Sequence, residues 1–341
     1  MTDEKLILDE IIPESLTVSG QQRHPEPFPM VYGLHAGKKK IDGVVDWIQH
    51  ERDSLLAQLT TTGAMLFRGF PVASDLEFDS FIQAFGLKNL AYDDTFSNAI
   101  RSNRTSRVFS ANEAPPSVPI FLHHELAQTP VYPSHLFFFC EQSPETGGET
   151  LLCRSDVLFE SLAHEVPEFI ESCKNLGVRY TNIMPLNEDE ESGQGRSWCS
   201  TLSTNKKLSA EEKLRHLGYQ WEWQEDGSIR VVTPVFPAIR KLDDKRCVFF
   251  NQLIAAYRGW DGGCSESQKT ISFGDGSEIS GKTMSIVSDL ADHLSFNLVW
   301  EKGDVALINN SLVLHGRNTY IGQRSVLASL AVDTHSLFSD Q

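Results

Sequence analysis

The fold class is decided by residues 296–332, FNLVWEKGDVALINNSLVLHGRNTYIGQRSVLASLAV. This stretch predicts a strand over 296–300, a turn at 301–303 and a second strand over 304–309. A loop follows, and then a third strand over 325–332. Short strands that follow one another without a crossover helix are typical of an antiparallel sheet.

The rest of the chain extends this pattern. Apolar runs predict further strands at 63–70, 135–140 and 150–153, and a hairpin over 221–235 that turns at Asp226-Gly227. Helical periodicity predicts helices from about residue 44, after Ser74, over 155–173, from a capping box at Ser209 and Glu212, and over 282–294. The chain is therefore expected to be mainly β with peripheral helices, built on a sandwich or jelly-roll core.

We expect residues 1–341 to form a single domain, because no internal repeat or linker divides the chain. Residues 1–40 are rich in proline and predict an irregular N-terminal arm laid over the core. Residues 187–194 contain almost no apolar side chain. They predict a solvated loop, or alternatively a mobile lid over a site.

Composition excludes several classes of protein. Hydrophobic residues make up 40% of the 341 residues, which is enough for a large core and argues against disorder. A net charge of −16 disfavours nucleic acid as a partner. The longest apolar runs fall far short of the roughly 20 residues that span a bilayer. No secretion signal is visible, and the six cysteines show no C-x-x-C pair. We therefore expect a cytoplasmic protein with free thiols and no membrane partner, and its oligomeric state stays open.

His123 and Glu125 form an H-x-E motif just before a strand-rich segment. Side chains alternate along extended backbone, so both would lie on one face and could occupy two adjacent positions on a metal ion. The motif alone is weak, because His24-Pro25-Glu26 repeats it in the proline-rich arm. His315 is the candidate for a third ligand, and Arg324 could pair with a carboxylate. The alternative is a loop histidine and a surface charge.

In its short motifs the sequence resembles the TauD/TfdA (taurine dioxygenase-like, clavaminate synthase-like) family of iron(II)- and 2-oxoglutarate-dependent oxygenases. The likeness spans residues 27–332 and is strongest toward plant clavaminate synthase-like proteins of unknown substrate. It rests on motifs in a fixed order, which include GAMLFRGF (63–70), FSANE (109–113), LHHE (122–125), PSHLFFFC (133–140), GGET (147–150), FGDG (273–276), WEKGDV (300–305), LHGR (314–317) and RSVLASL (324–330).

The resemblance implies a jelly-roll core of the double-stranded β-helix type and iron(II) bound by His123, Glu125 and His315. It also implies that Thr150 and Arg324 hold the distal carboxylate of 2-oxoglutarate, with O2 as the other co-substrate. Glutamate at position 125 matches the clavaminate synthase-like branch. It also argues against halogenation, because halogenating relatives have a small residue there.

The substrate is less defined. Several relatives carry a second arginine four residues beyond the first, where this chain has Ala328, so a taurine-type sulfonate clamp is not expected. We expect oxidation of an unactivated C–H bond in an amino-acid-derived or other specialised metabolite, with succinate and CO2 released. Hydroxylation is the default outcome, and desaturation or cyclisation is possible. The candidate substrate-contacting residues, each of which also fits a structural role, are Asn112, Glu113, His124, Asn251 and Tyr257.

Two other functions stay open. One is a metal-dependent hydrolase or isomerase on a jelly-roll scaffold, which would use metal-bound water. The implied roles of Thr150 and Arg324 argue against it, since such an enzyme needs no 2-oxoglutarate clamp. The other is a non-catalytic binding protein, against which the complete set of three metal ligands argues.

Overall fold

The computed structural model describes residues 11–34, 40–92, 95–97, 99–189, 195–260 and 270–333. The strands of these residues are β1 (Glu14–Leu16), β2 (Gln22–His24), β3 (Glu26–Phe28), β4 (Met30–Gly33), β5 (Ala64–Arg68), β6 (Lys88–Asn89), β7 (Phe109–Ser110), β8 (Ile120–His123), β9 (His135–Gln142), β10 (Thr146–Gly147), β11 (Thr150–Arg154), β12 (Val178–Met184), β13 (Gln220–Trp223), β14 (Ile229–Val232), β15 (Arg240–Lys241), β16 (Cys247–Val248), β17 (Ile271–Phe273), β18 (Phe296–Leu298), β19 (Val305–Asn309), β20 (Val313–Arg317), β21 (Tyr320–Ile321) and β22 (Ser325–Val332). The helices are α1 (Ile41–Thr62), α2 (Asp75–Ala84), α3 (Ser155–Glu165), α4 (Pro167–Leu176), α5 (Trp198–Thr201), α6 (Lys207–His216), α7 (Leu253–Gly259) and α8 (Gly281–His293).

Two mainly antiparallel sheets form the core. The larger sheet has the order β1-β4-β5-β19-β9-β22-β6, and β7 also pairs with β22. The smaller sheet has the order β18-β11-β20-β8. Apolar side chains of both sheets share one buried cluster, with Phe138 and Ile308 from the larger sheet and Leu152 and Phe296 from the smaller one. The expected mainly β core is confirmed.

Helices cover the outer faces of the two sheets, as predicted. α1 and α2 contribute Ile48 and Phe78 to a cluster with Phe67 and Phe137 of the larger sheet. Residues of α3, α4, α7 and α8 form a second cluster against the smaller sheet. A further sheet, β13-β14-β12-β17, shares a separate cluster with α5 and α6. The expectation that the whole chain is one domain stays a prediction.

Several predicted elements have nearly the expected bounds. β22 covers 325–332, and β13 and β14 form the hairpin around Asp226-Gly227. The hydroxyl of Ser74 caps α2 by accepting a hydrogen bond from the Glu77 amide. These elements carry strong local signals, such as an uninterrupted apolar run or a side chain that caps a helix.

The prediction of an irregular arm is wrong for residues 14–33, which contain the strands β1 to β4. β4 joins the larger sheet and runs parallel to β5. Pro13, Pro25 and Pro29 lie outside these strands, and Pro27 lies in β3, which forms a two-stranded ribbon with β2. A strand in such a ribbon tolerates a residue that lacks an N–H group.

Two helix predictions are corrected. The helix expected over 155–173 is divided, because α3 ends at Glu165 and α4 begins at Pro167. Proline fits the first turn of a helix but interrupts one that continues through it. The capping box at Ser209 is wrong, since α6 begins at Lys207 and has no side-chain cap.

Three remaining expectations concern the loop at 187–194, the cysteines and the absence of a membrane-spanning helix. Of the loop predicted over 187–194, residues 190–194 lie outside the described residues. The cysteines Cys140, Cys153, Cys173, Cys199 and Cys247 are free thiols, and the first three are buried. Cys264 lies outside the described residues. Each helix of the described residues is too short or too polar to span a bilayer, and a cytoplasmic location stays a prediction.

Candidate metal centre and adjoining cavities

The side chains of His123, Glu125 and His315 meet on the smaller sheet. One ligand atom of each lies within 4.8 Å of those of the other two. Glu125 Oε2 is 3.4 Å from His315 Nε2 and 3.7 Å from His123 Nε2. Two imidazoles and one carboxylate in this arrangement are the ligand set of mononuclear non-haem iron(II), which leaves further coordination positions open.

Adjacent strands bring the two histidines together. His123 ends β8 and pairs with His315 of β20, which the sequence had predicted to be a loop. The loop prediction failed because β20 is only five residues long and contains Gly316. A Cβ at Gly316 would lie 2.6 Å from the carbonyl oxygen of Ile120. Glycine therefore allows β20 to approach β8 at the site.

The backbone at Glu125 differs from the extended strand that the H-x-E spacing predicted. β8 ends at His123, so Glu125 lies in the turn that follows and not on extended backbone. The side chain of Asn310 holds this turn. Its Oδ1 accepts a hydrogen bond from the Glu125 amide (2.8 Å), and its Nδ2 donates to the Glu125 carbonyl (3.0 Å). Asn310 is fully buried, and no sequence signal identified it.

Burial and charge set the protonation of the metal centre. Burial alone would raise the pKa of Glu125, but the Arg101 guanidinium and the two imidazoles hold it well below its usual range. Burial and the neighbouring His123 lower the pKa of His315 to about 4. A carbonyl oxygen can only accept, so His123 Nδ1 donates to Phe121 O (2.8 Å) and leaves Nε2 available. An ionised carboxylate and imidazole lone pairs are what a metal ion requires.

A cavity rich in arginine adjoins the metal centre, and we call it the basic cavity. Its lining includes His123, His315 and Thr150. It also includes the arginines Arg101, Arg317 and Arg324. No carboxylate is among the described residues that line it. Such a cavity suits an anionic ligand.

Thr150 and Arg324 are both oriented by neighbouring groups. Arg324 Nε donates to the carbonyl of Gly148 (3.0 Å). Gly148 has a φ of +69°, and a Cβ there would lie 3.0 Å from Arg324 Cδ. Trp300 Nε1 donates to Thr150 Oγ1 (2.9 Å), so the threonine hydroxyl can donate its own hydrogen elsewhere. Burial and nearby Arg317 lower the pKa of Arg324 to about 10, which still leaves it charged at neutral pH.

Arg317 has a different role. Its guanidinium donates hydrogen bonds to backbone carbonyls between residues 112 and 118, those of Asn112, Ala114, Pro115 and Val118. It therefore organises the segment that precedes β8.

A second cavity also adjoins the metal centre, with His123 and Glu125 in its lining, and we call it the mixed cavity. It combines polar residues, among them Ser97, Gln128 and Gln252, with the aromatic rings of Phe121 and Trp260. Both cavities are lined by Arg101, Asn112, Ile120 and His123. The metal centre is therefore accessible from two adjoining spaces of different chemistry.

The structure separates the candidate substrate residues. Asn112 lines both cavities, whereas Glu113, His124, Asn251 and Tyr257 line neither. His124 is fully buried, with its ring nitrogens against Asn310 O and Ser155 Oγ.

The other three residues make structural hydrogen bonds. The Asn251 carboxamide bonds to the backbone of residues 238 and 253, the Tyr257 hydroxyl donates to the Gly281 carbonyl, and Glu113 accepts from Ser110 Oγ. For these residues and for His124, direct contact with a substrate in either cavity is therefore not supported.

Sequence patterns did not identify two residues of the site, Arg101 and Gln128. Arg101 contacts the metal centre through a hydrogen bond from its Nη2 to Glu125 Oε1 (3.1 Å). Gln128 lines the mixed cavity three residues after Glu125. Arg101 stands in a segment with Arg104 and Arg107 and belongs to no motif, so nothing distinguished it from a surface arginine.

Comparison with known proteins gives one family and several relatives. Residues 31–330 match the family described as Taurine catabolism dioxygenase TauD, TfdA family. A clavaminate synthase-like protein of Arabidopsis thaliana is 37% identical over 321 residues, which cover 91% of this chain and 96% of the relative. The dapdiamide synthesis protein DdaC of Enterobacter agglomerans is 25% identical over 303 residues, which cover 82% and 84%.

Solved structures share the fold. PvcB from Pseudomonas aeruginosa superposes with a TM-score of 0.54 at 12% identity, covering 95% of this chain and 92% of its own. An asparagine oxygenase structure has a TM-score of 0.52 at 10% identity, covering 86% and 83%. The expectation of a jelly-roll core is confirmed.

Proposed function

The chain belongs to the TauD/TfdA family of iron(II)- and 2-oxoglutarate-dependent dioxygenases, and from this premise we propose that it oxidises an unactivated C–H bond of an amino-acid-derived or other specialised metabolite. The family match confirms the resemblance inferred from the sequence motifs. It also confirms the expected enzyme class and the expected use of iron(II), 2-oxoglutarate and O2. The two alternatives, a hydrolase or isomerase and a non-catalytic binding protein, have no support from it.

The observation that carries the proposal is that the residues of the metal centre line two cavities of different chemistry. An oxygenase of this kind must bind a dianionic co-substrate and an organic substrate at one metal ion. The basic cavity and the mixed cavity both include His123, the ligand that ends β8. A hydrolase would need only one such space.

Iron(II) would be held by His123, Glu125 and His315. Iron with 2-oxoglutarate and O2 supplies the oxidising chemistry, in which the co-substrate is converted to succinate and CO2. The chain supplies an ionised carboxylate, imidazole nitrogens and a largely enclosed site. Each ligand residue is fixed by packing or by hydrogen bonds before a metal arrives, which lowers the entropic cost of binding it.

The basic cavity is the site we assign to 2-oxoglutarate. Arg324 would receive its distal carboxylate, since a guanidinium can bind a carboxylate through two hydrogen bonds. The Thr150 hydroxyl, held by Trp300, would donate a further one. The absence of a carboxylate among the described lining residues favours a dianion in this space.

The mixed cavity is the site we assign to the substrate. Asn112 lies at its junction with the basic cavity and is the candidate substrate residue that the geometry supports. The substrate C–H bond must be held close to the metal, since a misplacement of 1 Å costs about a hundredfold in rate. Hydroxylation is the default product, and desaturation or cyclisation would use the same residues.

The proposal is tested by measuring succinate formed from 2-oxoglutarate by the wild-type protein with iron(II) and O2. A panel of free and modified amino acids is added in turn, and products are identified by mass. We expect iron-dependent succinate release that one class of panel member stimulates, with that member oxidised in equal amount. Absence of iron-dependent succinate under all conditions would overturn the proposed function.

A further inference from the structure

Arg101 is a buried cation at the junction of the two cavities. Its side chain is only 7% exposed, and it lines both the basic and the mixed cavity. An arginine carries five N–H donors. One nitrogen, Nη2, donates to Glu125 Oε1, whereas Nε is buried and has no acceptor among the described residues.

The remaining neighbours of Arg101 position it without using its donors. The guanidinium carbon lies 5.0 Å from the ring centroid of Tyr92 and 5.3 Å from that of Phe109. Aromatic faces stabilise a cation but replace hydrogen-bond acceptors poorly. A buried donor without an acceptor is costly, so this environment favours a ligand that supplies one.

The net charge of the site also favours an anionic ligand. Among the described lining residues of the two cavities, Glu125 is the one carboxylate, against Arg101, Arg317 and Arg324. A divalent metal would add two positive charges and share the charge of Glu125 with Arg101. Bound 2-oxoglutarate contributes two negative charges, so the loaded site stays positive.

Other cations are less suitable for binding a substrate anion. Arg258 is bound to Asp292 (2.7 Å) and does not line either cavity. Arg317 is occupied by backbone carbonyls. Position 328, where relatives carry an arginine, is a buried alanine of β22 paired with Phe109 and Phe138. Arg101 is the one arginine or lysine among the described residues that line the mixed cavity.

We propose that Arg101 is the specificity-determining residue that binds a carboxylate of the substrate in the mixed cavity. This inference rests on the proposed function. A carboxylate is favoured because its planar pair of oxygens matches the guanidinium geometry. Gln128 offers a second polar contact, since the residue is only 7% exposed and its Oε1 has no partner among the described residues. A substrate with a carboxylate and an N–H donor would satisfy both.

The first experiment uses the wild-type protein loaded with iron(II) and 2-oxoglutarate in the absence of O2. Free and N-acetylated amino acids, each beside its own primary amide, are titrated in a calorimeter. We expect the tightest carboxylate to bind ten- to a hundredfold more tightly than its amide, as for a hydrogen bond to a charged group. If no acid binds more tightly than its amide, the inference is overturned. Iron-dependent succinate formation by the same protein shows separately whether the proposed function stands.

The second experiment compares variants by the same titration. In Arg101→Gln, titrated at iron(II) and 2-oxoglutarate concentrations that saturate the variant, we expect the preference for carboxylate over amide to fall below threefold. Arg101→Lys keeps the charge and should keep an intermediate preference, which tests the inference even if the glutamine variant does not fold. Arg258→Gln is the matched control and should behave as wild type. An unchanged preference in Arg101→Gln, with weaker iron binding, would show that Arg101 only orients Glu125.

Discussion

His123 and His315 lie directly opposite each other in two antiparallel strands, with their ring centroids 4.3 Å apart. Cross-strand partners on one face of a sheet are held at close distance by the backbone hydrogen bonds. The pair of imidazoles is therefore a product of strand register. Glu125 completes the set from the adjoining turn, so the two histidines depend on strand pairing and the glutamate depends on the turn.

The first prediction concerns the metal ligand His315. His315→Ala should abolish iron-dependent succinate formation and weaken iron(II) binding at least a hundredfold, because two ligands remain of three. The β20 backbone should persist, so circular dichroism should match wild type. Metal affinity is measured by anaerobic calorimetry. His24→Ala, at the other H-x-E sequence, lies in the β2–β3 ribbon and should leave both properties intact. Full activity in His315→Ala would contradict the assignment.

The second prediction separates two arginines of the basic cavity. Removing one partner of an enclosed charge pair costs about 3–5 kcal/mol, so Arg324→Ala should raise the 2-oxoglutarate concentration needed for half-maximal rate by two or more orders of magnitude. Arg317→Ala should raise it less. Arg317 binds backbone carbonyls, so its loss should instead lower the free energy of unfolding. If the effects on 2-oxoglutarate were reversed, Arg317 would be the co-substrate residue.

Sequence patterns predicted the parts of the fold that carry strong local signals. The eight apolar and small residues of β22 and the capping serine of α2 are examples. β20 was missed because its pairing partners, β8 and β11, are far away in sequence and supply its hydrogen bonds. A five-residue strand has too few residues for its alternation to be recognised. The N-terminal strands were missed for the same reason.

The residues of the candidate site also fall into two groups, those that sequence patterns predicted and those that they did not. His123, Glu125 and His315 were found because a metal centre restricts residue types and the family motifs restrict their order. Arg101, Gln128 and Asn310 contribute through tertiary contacts that no spacing rule describes. His124 was a candidate because it is next to His123 in sequence, and Asn251 because it belongs to a family motif. However, adjacent residues at a strand end point in opposite directions, so His124 points away from the site, and both side chains are hydrogen-bonded in the core.

The third prediction concerns acid stability and His135 at the start of β9. Burial lowers the pKa of His135 to about 4 in the folded protein, against 6.5 when unfolded. The unfolded chain therefore binds the proton first, and stability is lost as pH falls from 6.5 toward 4. His135→Gln should remove at most about 3 kcal/mol of this loss. Urea denaturation of the metal-free protein at pH 8, 6 and 4.5 measures it.

The control for this effect is His164→Gln, because His164 is exposed on α3. Its difference from wild type should be small at all three pH values, because an exposed side chain contributes little to stability. If the difference between His135→Gln and wild type were also independent of pH, burial of His135 would not contribute to acid unfolding.

The fourth prediction concerns Asn310, which holds the turn that carries Glu125. Its carboxamide bonds to both backbone groups of Glu125 and to the carbonyl of Pro133 (2.7 Å). Asn310→Ala leaves these buried groups without a partner, at about 1–3 kcal/mol for each unsatisfied group. We expect a loss of at least 2 kcal/mol in the free energy of unfolding, together with weaker iron(II) binding, because Glu125 loses its fixed position. Asn309→Ala is the matched control, since among the described residues its Oδ1 accepts from the Ser311 amide alone. It should cost about 1 kcal/mol with no change in metal affinity. Equal metal affinity in the two variants would show that Glu125 keeps its position without Asn310.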